Sequence, residues 1–208
     1  MRCESLIFDI DGTLWDSRSL VAEGYNRQLK QEGMAHLQIT VETLKGLFGK
    51  PLPEIGRLLF TEIPDMKQRE ALIYRCTASQ EQFMAENPCQ VGYPQVAETL
   101  KELQKHHRLF IVSNSEKGYP ELCMEKLGLT SFFEGHLCYG DTHTPKGETI
   151  RLLMQQYQIE SAAYIGDTQG DYEASLYAGI PFIWASYGFG TPESFTNKIQ
   201  QFSDLLSL

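Results

Sequence analysis

The chain predicts an α/β protein in which a parallel sheet is covered by helices on both faces and is interrupted once by an all-helical module. Three observations predict it. The apolar run Leu6-Ile7-Phe8 ends at Asp9 and Asp11, as expected of a strand buried on both faces. From Tyr93 to Trp184 short apolar runs alternate with stretches of helical spacing, the pattern of strands joined by crossover helices. Residues 16–86 have helical periodicity and no strand-like run. They therefore read as an insertion after the first strand, giving a core of residues 1–15 and 87–208 and a helical module of residues 16–86.

Within the module, Leu20, Val21, Tyr25 and Leu29 share one helical face and Gly33 supplies a stop. A second helix is expected from Thr40 to Phe48, interrupted by Gly49-Lys50-Pro51, with further helices over Pro53 to Phe60 and Met66 to Met84. The boundary falls near Asn87-Pro88. The core then reads as helix 94–106, strand Leu109 to Val112, helix 118–127, a short strand near His136 to Tyr139, and helix 147–158. Strand Ala162 to Ile165, helix 170–178 and strand Pro181 to Trp184 complete it. Right-handed crossovers align the carboxyl ends of parallel strands along one edge of the sheet, and ligands bind at that edge in open α/β sheets.

With 208 residues the chain can bury a sizeable core. Its formal net charge of -9 argues against nucleic acid and anionic membrane as partners. The five cysteines are scattered and form no CxxC pair, which fits reduced thiols. The first strand begins within six residues and no apolar run approaches the ~18 residues that span a bilayer. A cytoplasmic protein is expected.

Four strand ends carry candidate chemistry: Asp9 with Asp11, Ser113 with Asn114, Lys146 at a helix start, and Asp167 with Asp171 in Gly166-Asp167-Thr168-Gln169-Gly170-Asp171. Each has a plainer reading. Asp11-Gly12 suits a simple turn, Ser113 and Asp167 suit helix caps, and Lys146 suits a solvated lysine. Together they gather four carboxylates at one sheet edge, where they repel one another unless a cation or proton intervenes. An all-oxygen set without histidine favours Mg2+ over zinc. Magnesium, Lys146, the Ser113 hydroxyl and nearby amides would suit a phosphoryl group.

The sequences DIDGTLWDS from Asp9, IVSNS ending at Ser115, TPKGE around Lys146 and GDTQGD from Gly166 resemble, in order, the motifs of the haloacid dehalogenase (HAD) superfamily on its phosphatase side. The resemblance spans residues 5–185 and implies a Rossmann-like, HAD-like core with residues 16–86 as an inserted α-helical cap. It implies that Asp9 is the nucleophile, forming an aspartyl-phosphate, and that Asp11 is general acid and then base. Ser113 and Asn114 would bind phosphoryl oxygens, and Lys146 would bridge phosphate and nucleophile. Mg2+ would be held by Asp9, Asp11 through its backbone carbonyl, Asp167 and Asp171, the last directly or through water. Pro145 precedes Lys146 here, whereas many relatives place proline after the lysine. Dehalogenating relatives lack the second acid of the first motif and use no magnesium, so Asp11 and the GDTQGD pair count against dehalogenation.

The expected activity is magnesium-dependent hydrolysis of a phosphomonoester, with a small phosphorylated metabolite as substrate. A phosphosugar mutase of the β-phosphoglucomutase type shares every core residue. A receiver-like phospho-acceptor domain also combines acids, a hydroxyl, a lysine and magnesium, but phosphorylates an aspartate on an internal strand rather than the first. Specificity is expected in the cap, which would close over the site. Phe48-Gly49-Lys50-Pro51 resembles the family's substrate-facing cap loop, so that Lys50 meets an anionic part of the substrate. A helix-helix turn carrying a solvated lysine reads equally well.

Overall fold

The computed structural model describes residues 3–208; the first two residues of the expected core segment lie outside them. The chain divides into two compact units. One comprises residues up to Asp16 together with Gln90–Leu208, and the other is Ser17–Cys89.

The first unit is built on a six-stranded sheet whose strands are β1 (Ser5–Phe8), β2 (Arg108–Ser113), β3 (Gly135–Cys138), β4 (Ala162–Gly166), β5 (Phe182–Ala185) and β6 (Asn197–Ile199). Their spatial order is β3-β2-β1-β4-β5-β6 and every pairing is parallel. The central strand β1 is buried throughout, which accounts for its uninterrupted apolar run. Phe8 registers with Ile111 of β2 and Ile165 of β4. The residues that follow, Asp9, Ser113 and Asp167, therefore emerge along one carboxyl edge.

Helices α5 (Val96–Leu103), α6 (Tyr119–Leu127), α7 (Tyr139–Thr142), α8 (Lys146–Gln156) and α9 (Gln169–Ala178) connect the strands. Ile150 and Leu153 of α8 and Ala174 of α9 bury against Ile7, Phe110, Val112, Tyr164 and Phe182 of the sheet. In this unit three elements depart from the sequence reading. Tyr139 opens α7 rather than ending β3. The last strand, β6, is three residues long with only Ile199 buried, and carries no apolar run to announce it. A 3-10 segment, Phe202–Ser207, follows and buries Phe202 and Leu205.

The helical unit contains α1 (Arg18–Gln31), α2 (Val41–Leu44), α3 (Leu52–Leu59) and α4 (Met66–Glu86). Val21, Tyr25 and Leu29 of α1 bury against Leu72, Ile73 and Cys76 of α4, with Leu52 of α3 and Phe60 in the same cluster. The Asn26 side chain pairs with both backbone groups of Ile39, at 2.7 and 2.8 Å. The Arg69 guanidinium donates to the carbonyls of Arg57, Thr61 and Ile63, binding together the turn between α3 and α4. The helix expected from Thr40 to Phe48 is confined to α2, because Lys45 leaves helical geometry at ψ 129°. Asn87 and Cys89 belong to this unit: Asn87 Nδ2 donates to Phe83 O at 2.8 Å and Cys89 Sγ to Met84 O at 3.5 Å, so the chain stays bonded to α4 past its end.

In the sheet unit, the segments flanking the insertion lie side by side. Asp16 N donates to Val91 O at 2.8 Å and Tyr93 N to Leu14 O at 3.0 Å, while Trp15 bridges Gly92.

Candidate active site

The turn after β1 places its two acids differently. Asp9 is 4 % exposed and stays in line with the strand, its N–H donating to Ile165 O at 2.9 Å. Beyond it the chain folds back: the amides of Thr13 and Leu14 both donate to Ile10 O, and Gly12 N donates to Trp15 O. Gly12 has φ +83°, and a Cβ there would overlap the Asp167 carboxylate, so the turn needs glycine for conformation and for space. The Asp11 carboxylate accepts at Oδ1 from Trp15 Nε1 at 3.0 Å and Tyr119 Oη at 2.8 Å.

Asp9 shares its environment with Lys146, Asp167 and Asp171. Lys146, the first residue of α8 and 6 % exposed, donates from Nζ to Asp9 Oδ1 at 3.0 Å and to Asp171 Oδ1 at 2.6 Å. Asp171 also closes the N-terminus of α9: its Oδ2 accepts from Thr168 N at 2.9 Å, Thr168 Oγ1 at 2.7 Å and Asp167 N at 3.1 Å. The Thr168 hydroxyl accepts in return from Asp171 N, making a reciprocal cap. Asp167, at the end of β4, accepts from Phe189 N at Oδ2 at 2.6 Å. Its Oδ1 is buried with no hydrogen-bond partner among the described residues. Gly188 admits this side chain, since a Cβ at that position would overlap Asp167 and the Gly12 carbonyl.

Ser113 ends β2, buried, and its Oγ accepts from Ser115 N at 3.2 Å. The hydroxyl hydrogen is thereby directed elsewhere. Asn114 follows it, half-buried. Lys50 lies in the helical unit, where its Nζ bonds Glu54 Oε1 at 2.6 Å.

The electrostatics are those of crowded buried acids. Burial pushes the Asp9 carboxyl up to about 7; Lys146 opposes this, while Asp171 and Asp11 add to it. Burial also raises Asp167 well above the carboxylate range, with Asp171 and Asp9 reinforcing the shift and the Phe189 amide opposing it. Burial alone would depress the Lys146 ammonium, but Asp171 and Asp9 outweigh it and raise it above its ordinary value. One ammonium thus faces three buried carboxylates. Asp9, Asp167 and Asp171 each present an oxygen within 4.8 Å of the others. This all-oxygen set, with an unpartnered Asp167 oxygen among it, fits a hard divalent cation such as Mg2+. The Asp11 carboxylate is not part of the set.

The model for haloacid dehalogenase-like hydrolases matches residues 6–185. The chain belongs to that family. Over 212 residues this hydrolase is 27 % identical to the phosphoglycolate phosphatase of Rhodobacter capsulatus, covering 98 % of this chain and 94 % of that one. It is 27 % identical over 186 residues to the pyrophosphatase PpaX of Oceanobacillus iheyensis, covering 86 % and 82 %. Among solved structures, a haloacid dehalogenase-like hydrolase from Streptococcus pneumoniae superposes with a TM-score of 0.83 at 22 % identity, covering 99 % of this chain and 97 % of that one. That likeness establishes the fold.

The hydrolase core brings Asp9, Lys146, Asp167 and Asp171 together, with Ser113 at the adjoining strand end. Sequence reasoning missed the two donors to Asp11. Trp15 merely ends the first expected core segment and Tyr119 falls in the helix expected over 118–127, yet both side chains converge on one carboxylate oxygen. The i+4 spacing of Trp15 from Asp11 was a signal, whereas nothing local announces Tyr119. The Tyr187-Gly188-Phe189-Gly190 segment after β5 braces the turn that follows β1. Tyr187 Oη donates to Thr13 O at 2.8 Å, and the Phe189 amide holds Asp167.

Proposed function

We propose that the protein is a magnesium-dependent phosphatase that hydrolyses a small phosphorylated metabolite through an aspartyl-phosphate on Asp9. The observation that carries this is the buried Asp9 carboxylate held by Lys146 at 3.0 Å beside an Asp167 oxygen that lacks a partner among the described residues.

In this reading Asp9 attacks phosphorus in line with the leaving oxygen, and Lys146 keeps Asp9 ionised and oriented for that attack. Ser113 donates its O–H to a phosphoryl oxygen, which the Ser115 amide leaves it disposed to do, and Asn114 adds a second polar contact. Asp11 gives its proton to the leaving oxygen and later takes one from the water that hydrolyses the acyl phosphate; such a group typically contributes about 10²- to 10⁴-fold. Magnesium would be held by Asp9 and Asp167, by the Asp11 carbonyl and by Asp171, and when bound it would neutralise charge on the phosphoryl oxygens. Asp171 already accepts from Lys146, Thr168 and the Asp167 amide, which favours contact through water.

The helical unit selects the substrate, with Lys50 exchanging Glu54 for an anionic substrate group. The relatives named phosphoglycolate phosphatase and pyrophosphatase make phosphoglycolate and inorganic pyrophosphate the first compounds to try. Reduced cysteines and an acidic chain accord with a cytoplasmic setting.

Phosphate release from a panel including these two, sugar phosphates and nucleoside monophosphates tests the reading. Release that needs magnesium and disappears in Asp9→Asn supports it. Release that persists in excess chelator, or in Asp9→Asn, overturns it. Hexose 1-phosphate belongs in the panel because isomerisation without phosphate release would mark a mutase.

A further inference from the structure

Tyr119 and Trp15 donate to one and the same oxygen, Oδ1 of Asp11, at 2.8 and 3.0 Å. Tyr119 opens α6, 108 positions along the chain from Asp11. Both rings are buried, at 4 % and 0 % exposure, and they pack on each other with centroids 6.1 Å apart. A buried phenol or indole needs an acceptor, and a carbonyl would serve either. Here two unrelated stretches of chain deliver their donors to a single carboxylate oxygen. The backbone supports the arrangement: Gly12 N donates to Trp15 O at 2.9 Å, closing the turn that carries the indole back over Asp11.

We propose that Tyr119 and Trp15 are positioning residues for proton transfer by Asp11, and that their importance grows as the leaving group becomes poorer. This rests on Asp11 being the general acid of the reading above. In the first half-reaction an Asp9 oxygen forms a bond to phosphorus as the bond from phosphorus to the leaving oxygen breaks. The electron pair of that bond stays with the leaving oxygen, which takes the proton of Asp11. The two donors on Oδ1 fix the plane of the carboxyl group, so the proton is presented without a search over rotamers. An alkoxide departs only with that proton. A nitrophenolate departs without it.

The test compares kcat/KM, which covers events up to leaving-group departure, for glycerol phosphate and 4-nitrophenyl phosphate with magnesium present. Tyr119→Phe deletes one oxygen and keeps the ring. It should lower kcat/KM for the alkyl ester roughly 10- to 100-fold and leave the aryl ester within about twofold. Trp15→Phe provides a second arm with the same expected direction, and circular dichroism verifies that each variant is folded. In an Asp11→Asn background Tyr119→Phe should add less than about twofold, because the amide can still accept from Tyr119 but has no proton to deliver, so there is no transfer left to position. Equal losses on both esters, or no loss on the alkyl ester, overturn the proposal. If Asp11→Asn is itself selective for the alkyl ester and Tyr119→Phe is not, the acid assignment stands and the positioning role fails. If Asp11→Asn shows no selectivity, the acid assignment fails and the proposal falls with it.

Discussion

Lys146 Nζ lies 3.0 Å from Asp9 Oδ1, with both side chains about 5 % exposed. The pair joins the first residue of α8 to the end of the central strand, and the same ammonium continues to Asp171 at 2.6 Å. Lys146→Met should therefore leave three buried acids without their cation. Breaking a buried pair in this way costs ~3–5 kcal/mol, or roughly 6–20 °C in melting temperature for a chain of this size. Thermal denaturation of metal-free protein measures it. An unchanged melting temperature would show that the acids are already neutral.

Asp167→Asn separates stability from catalysis. The substitution keeps an acceptor for the Phe189 amide and removes a carboxylate that burial, Asp171 and Asp9 all disfavour in its charged form. Metal-free Asp167→Asn should melt above wild type at pH 8 while losing at least ~100-fold in activity. Wild type should gain ~2.7 kcal/mol at a magnesium concentration of 100 times Kd, and the variant should gain much less. A variant that melts lower without metal would contradict the crowding described for this cluster.

The pH dependence follows from Asp9. Its carboxyl is raised from 3.8 to about 7 in the folded protein, so between those values the folded state holds a proton that the unfolded state has released. The associated stability is fully present below pH 3.8 and is lost as pH rises towards 7. Melting temperatures of metal-free wild type and Asp9→Asn between pH 4.5 and 8 should diverge, with wild type falling more steeply. Saturating magnesium should flatten the wild-type slope because it favours the ionised carboxylate. Parallel slopes in the two proteins would remove Asp9 as their cause.

Lys50→Ala bears on the helical unit. The Lys50–Glu54 pair joins side chains that are 38 % and 40 % exposed, and such pairs contribute only ~0.2–1 kcal/mol. The melting temperature should hardly move. If Lys50 meets the anionic substrate, KM should rise roughly 10-fold while kcat stays within about twofold. Unchanged KM for the best substrate would assign Lys50 to the solvated face of its turn.

The legible parts of the fold were those whose burial leaves a local pattern. The strands β1, β2 and β4 read directly from their apolar runs because the sheet is covered on both sides. The strand β6 did not, since two of its three residues are polar and only Ile199 is buried. The helix α2 was overextended because apolar spacing continues past Leu44 after the backbone has already left helical geometry at Lys45. In the site, Asp9 and Asp167 could be read as acids at strand ends. That Asp171 also caps its own helix was implicit in Thr168 at the position three before it. Tyr119 was illegible because its partner is 108 residues away and only the tertiary fold brings them together.

The bonds from Asp16 to Val91 and from Tyr93 to Leu14 close the sheet unit where the chain leaves it and returns. The core consequently has a stem whose two sides meet whatever is inserted between them. Lengthening such a loop is inexpensive, about 0.6 kcal/mol for each doubling, and no strand register depends on its content. Genetic exchange of the segment Ser17–Cys89 would then act as replacement of a cassette. On the function proposed above, a new substrate preference would then be inherited in one recombination event, while Asp9, Asp11, Lys146, Asp167 and Asp171, which all lie outside the segment, pass to the descendant unaltered.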